Sequence, residues 1–450
     1  MSIYKACDIR GRFGSELTEK HAERLAVGLS HLYPRGAILI GGDGRLSTPV
    51  LKQNLTHELV RLGWDVVDLG NVSTPLFYFA RKSLGVEMGV MVTASHNPAH
   101  DNGFKLTLGA MPVTDEDVVH LAEVMESSLT LANEPGGSSR QLDLLQDYVR
   151  FLETLAPDLR GLKVVLDCSN GMGGQAARQV WEKTGAEVTY LLEDVDGRFP
   201  AHAPNPAEAK NLVLLSQAVV EKGADLGAAY DGDGDRVAFV DEHGKVIASD
   251  AVIVLYVRDV LHDAKHSIVF DQKCSRIVPE TIRQLGGTPV MELSGHTYIK
   301  RSYLKLGAVY AGELSGHHFF QTAGGDDGIA SSLFFARLLK QSDLPLSELV
   351  KSIPTYPITP DLRIPMSPEN IQALMAELKA AFSAEASVDT LDGLRVEYPD
   401  GWGLVRASVT EPVLTMRFEG INENALRQIM ARFEAGSDLL KGKLIQDSAH

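Results

Sequence analysis

Ala224-Asp-Leu-Gly-Ala-Ala-Tyr-Asp-Gly-Asp-Gly-Asp-Arg-Val-Ala-Phe-Val240 reads as a strand, an acidic loop and a second strand. The loop places Asp231, Asp233 and Asp235 on alternate residues with only glycines between them. Alternate residues of an extended segment point the same way. Glycine lets the backbone fold tightly enough for several carboxylate oxygens to meet at one hard cation. Three anionic groups so close repel one another, and a divalent ion compensates them. Three readings are open for this loop. It is a solvated Asp/Gly turn, an EF-hand or a Mg²⁺ site. The EF-hand reading has Glu242 at its twelfth position, but Arg236 stands where glycine is required and the flanks are strands. In the Mg²⁺ reading, the neighbouring Arg236 suits an anionic phosphate.

Working outward, the chain of 450 residues is 44% hydrophobic and 23% charged, which is ordinary for a globular protein and sufficient for three or four domains. A formal charge of −16 argues against nonspecific binding to nucleic acid or to an anionic membrane. An anionic small substrate is still compatible with it, given a few focused Arg and Lys. Cys7, Cys168 and Cys274 are too scattered for a disulfide framework or a metal box, so a reducing cytoplasmic setting is expected. The first ten residues are charged and carry no signal-peptide core, and no apolar run is long enough to span a bilayer.

Strand and helix patterns alternate through the first three quarters. Strands are expected at 37–40, 65–69, 89–92, 164–167, 268–270, 289–292 and 308–310. Helices are expected at 49–62, 76–84, 142–155, from about 175 to 183, and at 251–261. Three cycles of this kind end in polar loops. They are Thr93-Ala-Ser-His-Asn-Pro98, Asp231 to Arg236, and Gly312-Glu-Leu-Ser-Gly-His317. In open α/β sheets chemistry collects beyond the carboxyl ends of strands, so the three loops predict one composite site. Ile353-Pro-Thr-Tyr-Pro-Ile-Thr-Pro360 reads as a linker. Beyond it lie a helix at 369–382, strands at 394–397 and 413–418, and a helix at 425–433. The loop Arg406-Ala-Ser-Val-Thr-Glu-Pro412 carries an Arg and two hydroxyls suited to phosphate oxygens. The expected domain limits are 1–141, 142–245, 246–354 and 355–450.

From Asp8-Ile-Arg-Gly11 to Arg406-Ala-Ser408 these motifs, in this order, resemble the α-D-phosphohexomutase family and within it the phosphomannomutase/phosphoglucomutase group. The resemblance implies three topologically similar α/β domains and a smaller C-terminal α+β domain around a central cleft. It implies that Ser95 carries a phosphoryl group and, with Asp231, Asp233 and Asp235, binds Mg²⁺. Lys105 in Asn102-Gly-Phe-Lys105 would help move a proton, a solvated strand lysine being the alternative. Arg10 and Arg236 would neutralise the phosphoryl group, with His96 and Asn97 supporting the loop. Glu313, Ser315 and His317 would read the sugar, and Arg406, Ser408 and Thr410 would grip its other phosphate. The implied ligands are hexose phosphates, with a hexose 1,6-bisphosphate as activator and intermediate. No nucleic acid or membrane partner is expected, and the chain is expected to be a monomer or weak dimer.

Some positions depart from the group. Leu293 replaces a usual lysine, Val409 a usual Asn, Cys7 a usual Tyr, and His100-Asp101 a usual Asp-Tyr. Leu293 and Val409 each remove a polar contact, which bears on substrate preference more than on reaction type. The expected activity is interconversion of mannose or glucose 1- and 6-phosphates through phosphoserine. Phosphoglucosamine mutase, a non-catalytic sugar-phosphate sensor and a serine-nucleophile phosphatase are the alternatives.

Overall fold

Four sheets follow one another along the chain. The structure, a computed structural model, describes residues 3–262, 265–383, 388–407 and 413–444. The first sheet holds β1 (Ile9–Arg12), β2 (Ala37–Gly42), β3 (Asp65–Asn71), β4 (Met88–Val92), β5 (Asp101–Leu108) and β6 (Ser138–Gln141), in the order β1-β5-β4-β2-β3-β6. The second holds β7 (Lys163–Asp167), β8 (Glu187–Leu191), β9 (Leu226–Tyr230) and β10 (Val237–Asp241), in the order β10-β9-β7-β8. The third holds β11 (Ser267–Asp271), β12 (Thr288–Glu292), β13 (Tyr310–Gly312), β14 (His318–Phe320) and β15 (Gly325–Asp326), in the order β12-β11-β13-β14-β15.

One arrangement recurs in all three. A first strand pairs in parallel with the second and the third, and the third pairs antiparallel with the fourth. These sets are β2, β3, β4, β5, then β7, β8, β9, β10, then β11, β12, β13, β14. The connections β4–β5, β9–β10 and β13–β14 are therefore equivalent. They are the Ser95 loop, the Asp231–Arg236 loop and the Glu313–His317 loop.

Local chemistry sets the elements. In the helix Thr74–Leu84, the Ser73 hydroxyl caps the Leu76 N–H, proline occupies the first turn, and Gly85 closes it at φ 66°. The central parallel strands β2, β7 and β11 are near-continuous apolar runs buried after their first residue, whereas the parallel edge strand β6 is polar and exposed. One hydrophobic cluster runs through the first three units, from Leu39 and Phe77 through Trp181 and Phe239 to Phe335 and Ile353.

The fourth sheet is antiparallel and comprises β16 (Leu362–Pro365), β17 (Val388–Asp389), β18 (Leu394–Tyr398), β19 (Gly401–Ala407) and β20 (Val413–Gly420), in the order β16-β20-β19-β18-β17. Helices Pro368–Ala381 and Glu423–Ala435 cover it, and its core is a separate cluster around Leu374, Phe418 and Phe433.

Several expectations shift. The helix expected from Leu142 starts at Leu145, because the Leu142 N–H bonds to the Asp68 carbonyl and continues the first sheet. The strand expected at 308–310 is Tyr310–Gly312. Gly307 ends the preceding helix at φ 58°, and the Ala308 N–H folds back to the Tyr303 carbonyl. Helices Glu19–Leu32, Asp115–Glu126, Val213–Lys222 and Gly328–Gln341 were not expected. The last is buried nearly all round, so it shows no apolar stripe. Strand β19 was also missed, because Gly401 and Gly403 disguise it. A Cβ at Gly403 would lie 2.4 Å from the Phe433 ring. Arg406, read as a loop residue, belongs to β19 and pairs with Thr415. The proline-rich stretch at 353–360 is not a free linker. Its end is tied to β20 by Thr359 N–H to the Phe418 carbonyl at 2.9 Å and Gly420 N–H to the Pro357 carbonyl at 3.0 Å.

Candidate active site

The equivalent loops of the first two units meet at Ser95. Its hydroxyl donates to Asp231 Oδ2 at 2.8 Å and lies 3.2 Å from His96 Nδ1. Ser95 has φ 51°, in the left-handed region that non-glycine residues seldom occupy. Two contacts hold it there. Its N–H donates to Thr93 Oγ1 at 2.8 Å, and its carbonyl accepts from Arg45 Nη2 at 2.7 Å.

Arg45 organises the whole loop. It also donates to the carbonyls of Asn97 at 2.7 Å, Pro98 at 2.6 Å and Asp101 at 3.0 Å, and it is paired with Asp43. Asp43 further accepts from the hydroxyls of Thr48 and Thr93. Neither Asp43 nor Arg45 was singled out in the sequence. The signal was present, since Asp43-Gly-Arg45 is a polar loop just beyond the carboxyl end of β2.

Asp231, Asp233 and Asp235 are fully buried, which rules out the solvated turn. The EF-hand reading also fails, because Glu242 turns away and accepts from the Ser347 N–H and hydroxyl. The three carboxylates offer oxygens all within 4.8 Å of one another. Asp233 Oδ1 and Asp235 Oδ1 are buried and unpartnered. An all-oxygen, anionic donor set with open lone pairs fits a hard dication such as Mg²⁺.

Lys105 lies on β5 and is 5% exposed, so it is not a solvated strand lysine. Its ammonium donates to Asp233 Oδ2 at 2.7 Å and Asp235 Oδ2 at 2.6 Å. Burial alone would lower its pKa, but the two carboxylates raise it, so it keeps its proton. Asp233 Oδ2 also accepts from the Thr74 hydroxyl at 2.6 Å, which ties the first unit to the second. Burial and its fellow carboxylates push the Asp231 carboxyl well above its usual range.

Arg10 on β1 pairs with Asp8 at 2.7 Å and reaches the Ala94 carbonyl at 3.3 Å and Asn97 Oδ1 at 3.5 Å. Arg236 Nε is 3.9 Å from Asp231 Oδ2 and donates to His317 Nε2 at 3.0 Å. His317 is 1% exposed and stands behind Arg236, next to the acidic loop. Glu313 and Ser315 share its hairpin. Glu313 Oε2 and Ser315 Oγ are buried without a partner. Burial, then Asp271, raises the Glu313 carboxyl to about 7.

Arg406 lies across the cleft, its Nε 2.8 Å from Asp392 Oδ2. It borders a cavity of about 530 Å³ whose other walls include Lys5, Asp8, Leu293 and His296. Leu293 therefore meets the cavity with an alkyl group where a lysine would bring charge. Cys7 is on the same wall, its thiol 3.3 Å from Asp115 Oδ1, and burial pushes that thiol up to about 12. Ser408, Val409 and Thr410 lie outside the described residues.

Among the described residues no helix is long and apolar enough to cross a membrane. Models of the phosphoglucomutase/phosphomannomutase family match the chain in sequence order. The alpha/beta/alpha domains I, II and III match residues 1–130, 146–244 and 248–356, and the C-terminal domain matches 363–436. A phosphomannomutase/phosphoglucomutase of Pseudomonas aeruginosa is 40% identical over 440 residues, covering 96% of this chain and 94% of that protein. A phosphoglucomutase of Neisseria meningitidis serogroup A is 38% identical, covering 96% of each. A crystal structure of a phosphoglucomutase/phosphomannomutase family protein from Burkholderia thailandensis superposes with a TM-score of 0.88 at 34% identity, over 98% of both chains. Fold, site and relatives agree: this chain belongs to the phosphoglucomutase/phosphomannomutase family.

Proposed function

We propose that the chain is a phosphohexomutase that interconverts the 1- and 6-phosphates of mannose and/or glucose through a phosphoserine at Ser95. One observation carries the reading. A buried, conformationally strained serine hydroxyl donates to one of three convergent carboxylates, a buried lysine pairs with the other two, Arg236 stands beside the first, and Arg10 reaches the serine loop. A transferring phosphoryl group needs this surrounding of focused charge. Asp231, Asp233, Asp235 and Ser95 would hold Mg²⁺, which when bound neutralises charge on the phosphoryl oxygens.

The chain's own residues do the rest. The bond from phosphorus to Ser95 Oγ breaks as a bond to a sugar hydroxyl oxygen forms; the hydroxyl gives up its proton, Ser95 Oγ takes one up, and a hexose 1,6-bisphosphate results. Arg10 and Arg236 counter the phosphoryl charge throughout. Lys105 holds Asp233 and Asp235 in place and would help move the proton to or from the sugar hydroxyl. The bisphosphate turns over, and its second phosphate goes back to Ser95. Glu313 and Ser315, both with unused polar atoms, bind ring hydroxyls. Arg406, with Ser408 and Thr410, holds the phosphate that is not being transferred. His317 fits better behind Arg236 than against the sugar.

The proposed domain limits are 1–141, 142–245, 246–354 and 355–450, and the enzyme is read as a cytoplasmic monomer or weak dimer. A coupled assay tests the function with mannose 1-phosphate, glucose 1-phosphate and glucosamine 1-phosphate. Turnover of the first two that is lost on chelation and restored by Mg²⁺ is the expected result. Preference for the glucosamine ester, or release of inorganic phosphate without isomerised sugar, would replace the reading with a phosphoglucosamine mutase or a phosphatase.

A further inference from the structure

His317 makes one directional contact that fixes its chemistry. Its Nε2 lies 3.0 Å from Arg236 Nε. A guanidinium only donates, so Nε2 must be an acceptor. An imidazolium donates from both nitrogens, so a ring that accepts at Nε2 is neutral. A neutral ring that accepts at Nε2 carries its proton on Nδ1.

That Nδ1–H points between two carboxylates. Asp235 Oδ1 is 3.7 Å away and Asp326 Oδ2 is 3.8 Å away. All three atoms are buried and have no other partner. The second oxygen of each carboxylate is already taken. Asp235 Oδ2 accepts from Lys105 at 2.6 Å, and Asp326 Oδ1 accepts from Lys300 at 2.7 Å. The Lys300 ammonium in turn sits 3.4 Å from the centre of the Tyr78 ring. In the opposite tautomer a lone pair would face both anions, and an N–H would face the guanidinium. Both contacts would then be repulsive.

We infer that Asp326, held in place by Lys300, is a positioning residue for Arg236. It favours the Nδ1–H tautomer of His317, which keeps Nε2 free to accept from Arg236 and so aims the guanidinium at the phosphoryl group. The inference rests on the mutase reading for its effect on rate, but not for the tautomer itself. The same three residues could also be read as a second cation site, since their donor atoms lie within 4.8 Å of one another. The protonated Nδ1 has no lone pair to offer, and the Lys300 ammonium already neutralises Asp326. The positioning reading is therefore the one the contacts favour.

The test combines spectroscopy with kinetics on the full chain. Protein labelled with ¹⁵N-histidine is examined by long-range ¹H–¹⁵N correlation, and His317 is assigned by its loss in His317→Asn. Wild type should show a single Nδ1–H tautomer. Asp326→Ala should convert it to a mixture and lower kcat on glucose 1-phosphate by about ten- to a hundredfold, with KM changed by less than about twofold. Asp326→Asn keeps an oxygen for Nδ1–H but turns its NH2 toward Lys300, so it should recover the tautomer and the rate only in part. Lys300→Met should fall between wild type and Asp326→Ala.

An unchanged tautomer in Asp326→Ala overturns the inference, whether or not the rate falls. So does a second equivalent of Mn²⁺ bound per chain in wild type and absent from Asp326→Ala. If Asp326→Ala does not fold, Lys300→Met gives the same readout, and an unmoved tautomer and rate there are equally fatal. A wild type that isomerises no hexose phosphate, yet whose His317 tautomer responds to Asp326→Ala, would remove the mutase reading and leave the tautomer control intact.

Discussion

Ser95 stores backbone strain at φ 51°, and that strain is held by Arg45 and Thr93 instead of being relieved. Its hydroxyl is consequently fixed against Asp231 before any substrate arrives. Ser95→Ala keeps these backbone contacts, so it should melt close to wild type. It should lose about a thousandfold or more in turnover, because the covalent route is gone. Intact-mass analysis after incubation with glucose 1,6-bisphosphate checks this, with one added phosphate expected on wild type and none on the variant. Glu313 presents the opposite compromise. Its carboxyl is raised from 4.5 to about 7 by burial and by Asp271, so ionisation is disfavoured in the folded state. The folded form therefore binds more protons than the unfolded form between these values, and stability falls as pH rises from about 4.5 to about 7. Glu313→Gln removes that cost. It should stabilise the protein by about 1–3 kcal/mol at pH 8 and by almost nothing at pH 4.5, while raising KM for the sugar. Urea midpoints of the two proteins at both pH values give the comparison.

At the scale of elements, one connection in one strand arrangement was used three times, and that is why so much of the site was legible. Thr93–Pro98, Asp231–Arg236 and Gly312–His317 each follow a short apolar strand, and each carries chemistry in adjacent residues. What stayed hidden depends on contacts between distant residues. Arg45 is 50 positions from Ser95, and Asp326 meets His317 only through the β14–β15 turn. Long buried helices such as Gly328–Gln341 escaped for a different reason, because burial on all sides erases periodicity. The loop between β8 and the helix Val213–Lys222 is another such case. His202 on that loop donates to Asp167 at 3.0 Å and to the Ala203 carbonyl at 2.9 Å. The same loop stacks Phe199 against Arg45, with 5.1 Å between ring centre and guanidinium. Burial works against the charged imidazole, but the hydrogen bond and charge of Asp167 raise its pKa above the ordinary value. A raised folded-state pKa gives stability that is complete below about 6.5 and is lost as pH climbs through the folded value. The stability advantage of wild type over His202→Asn should therefore be about 1–3 kcal/mol at pH 6 and should shrink by pH 9. An advantage equal at both pH values would mean that the ring is neutral and the contact only steric.

Across the whole molecule, the fourth domain is attached to the third by a few polar contacts. Glu419 on β20 accepts from the Arg276 N–H at 2.8 Å and from the Ser275 hydroxyl. Arg417 and Arg395 reach the carbonyls of Lys273 and Gln272, and Arg417 also pairs with Asp250 at 3.3 Å. Most of these contacts converge on the loop after β11, the strand that ends in Asp271 beside the Glu313 hairpin. Arg417→Ala should loosen the attachment. Small-angle scattering should then show a larger radius of gyration, and KM should rise more than kcat falls, since in the proposed mechanism Arg406 would hold a phosphate equally in the ground and transition states. The apolar side chains are divided unequally. One cluster links the first three units, which also hold clusters of their own, while the fourth sheet and its two helices share in none of these. A common core obliges its owners to unfold together, and a private one does not. Heating should therefore produce two calorimetric transitions, the smaller one first. Between them the molecule would still present Ser95 and its carboxylates in working order but would have lost Arg406. In that interval it would be a phosphoryl donor that can no longer keep hold of what it has phosphorylated.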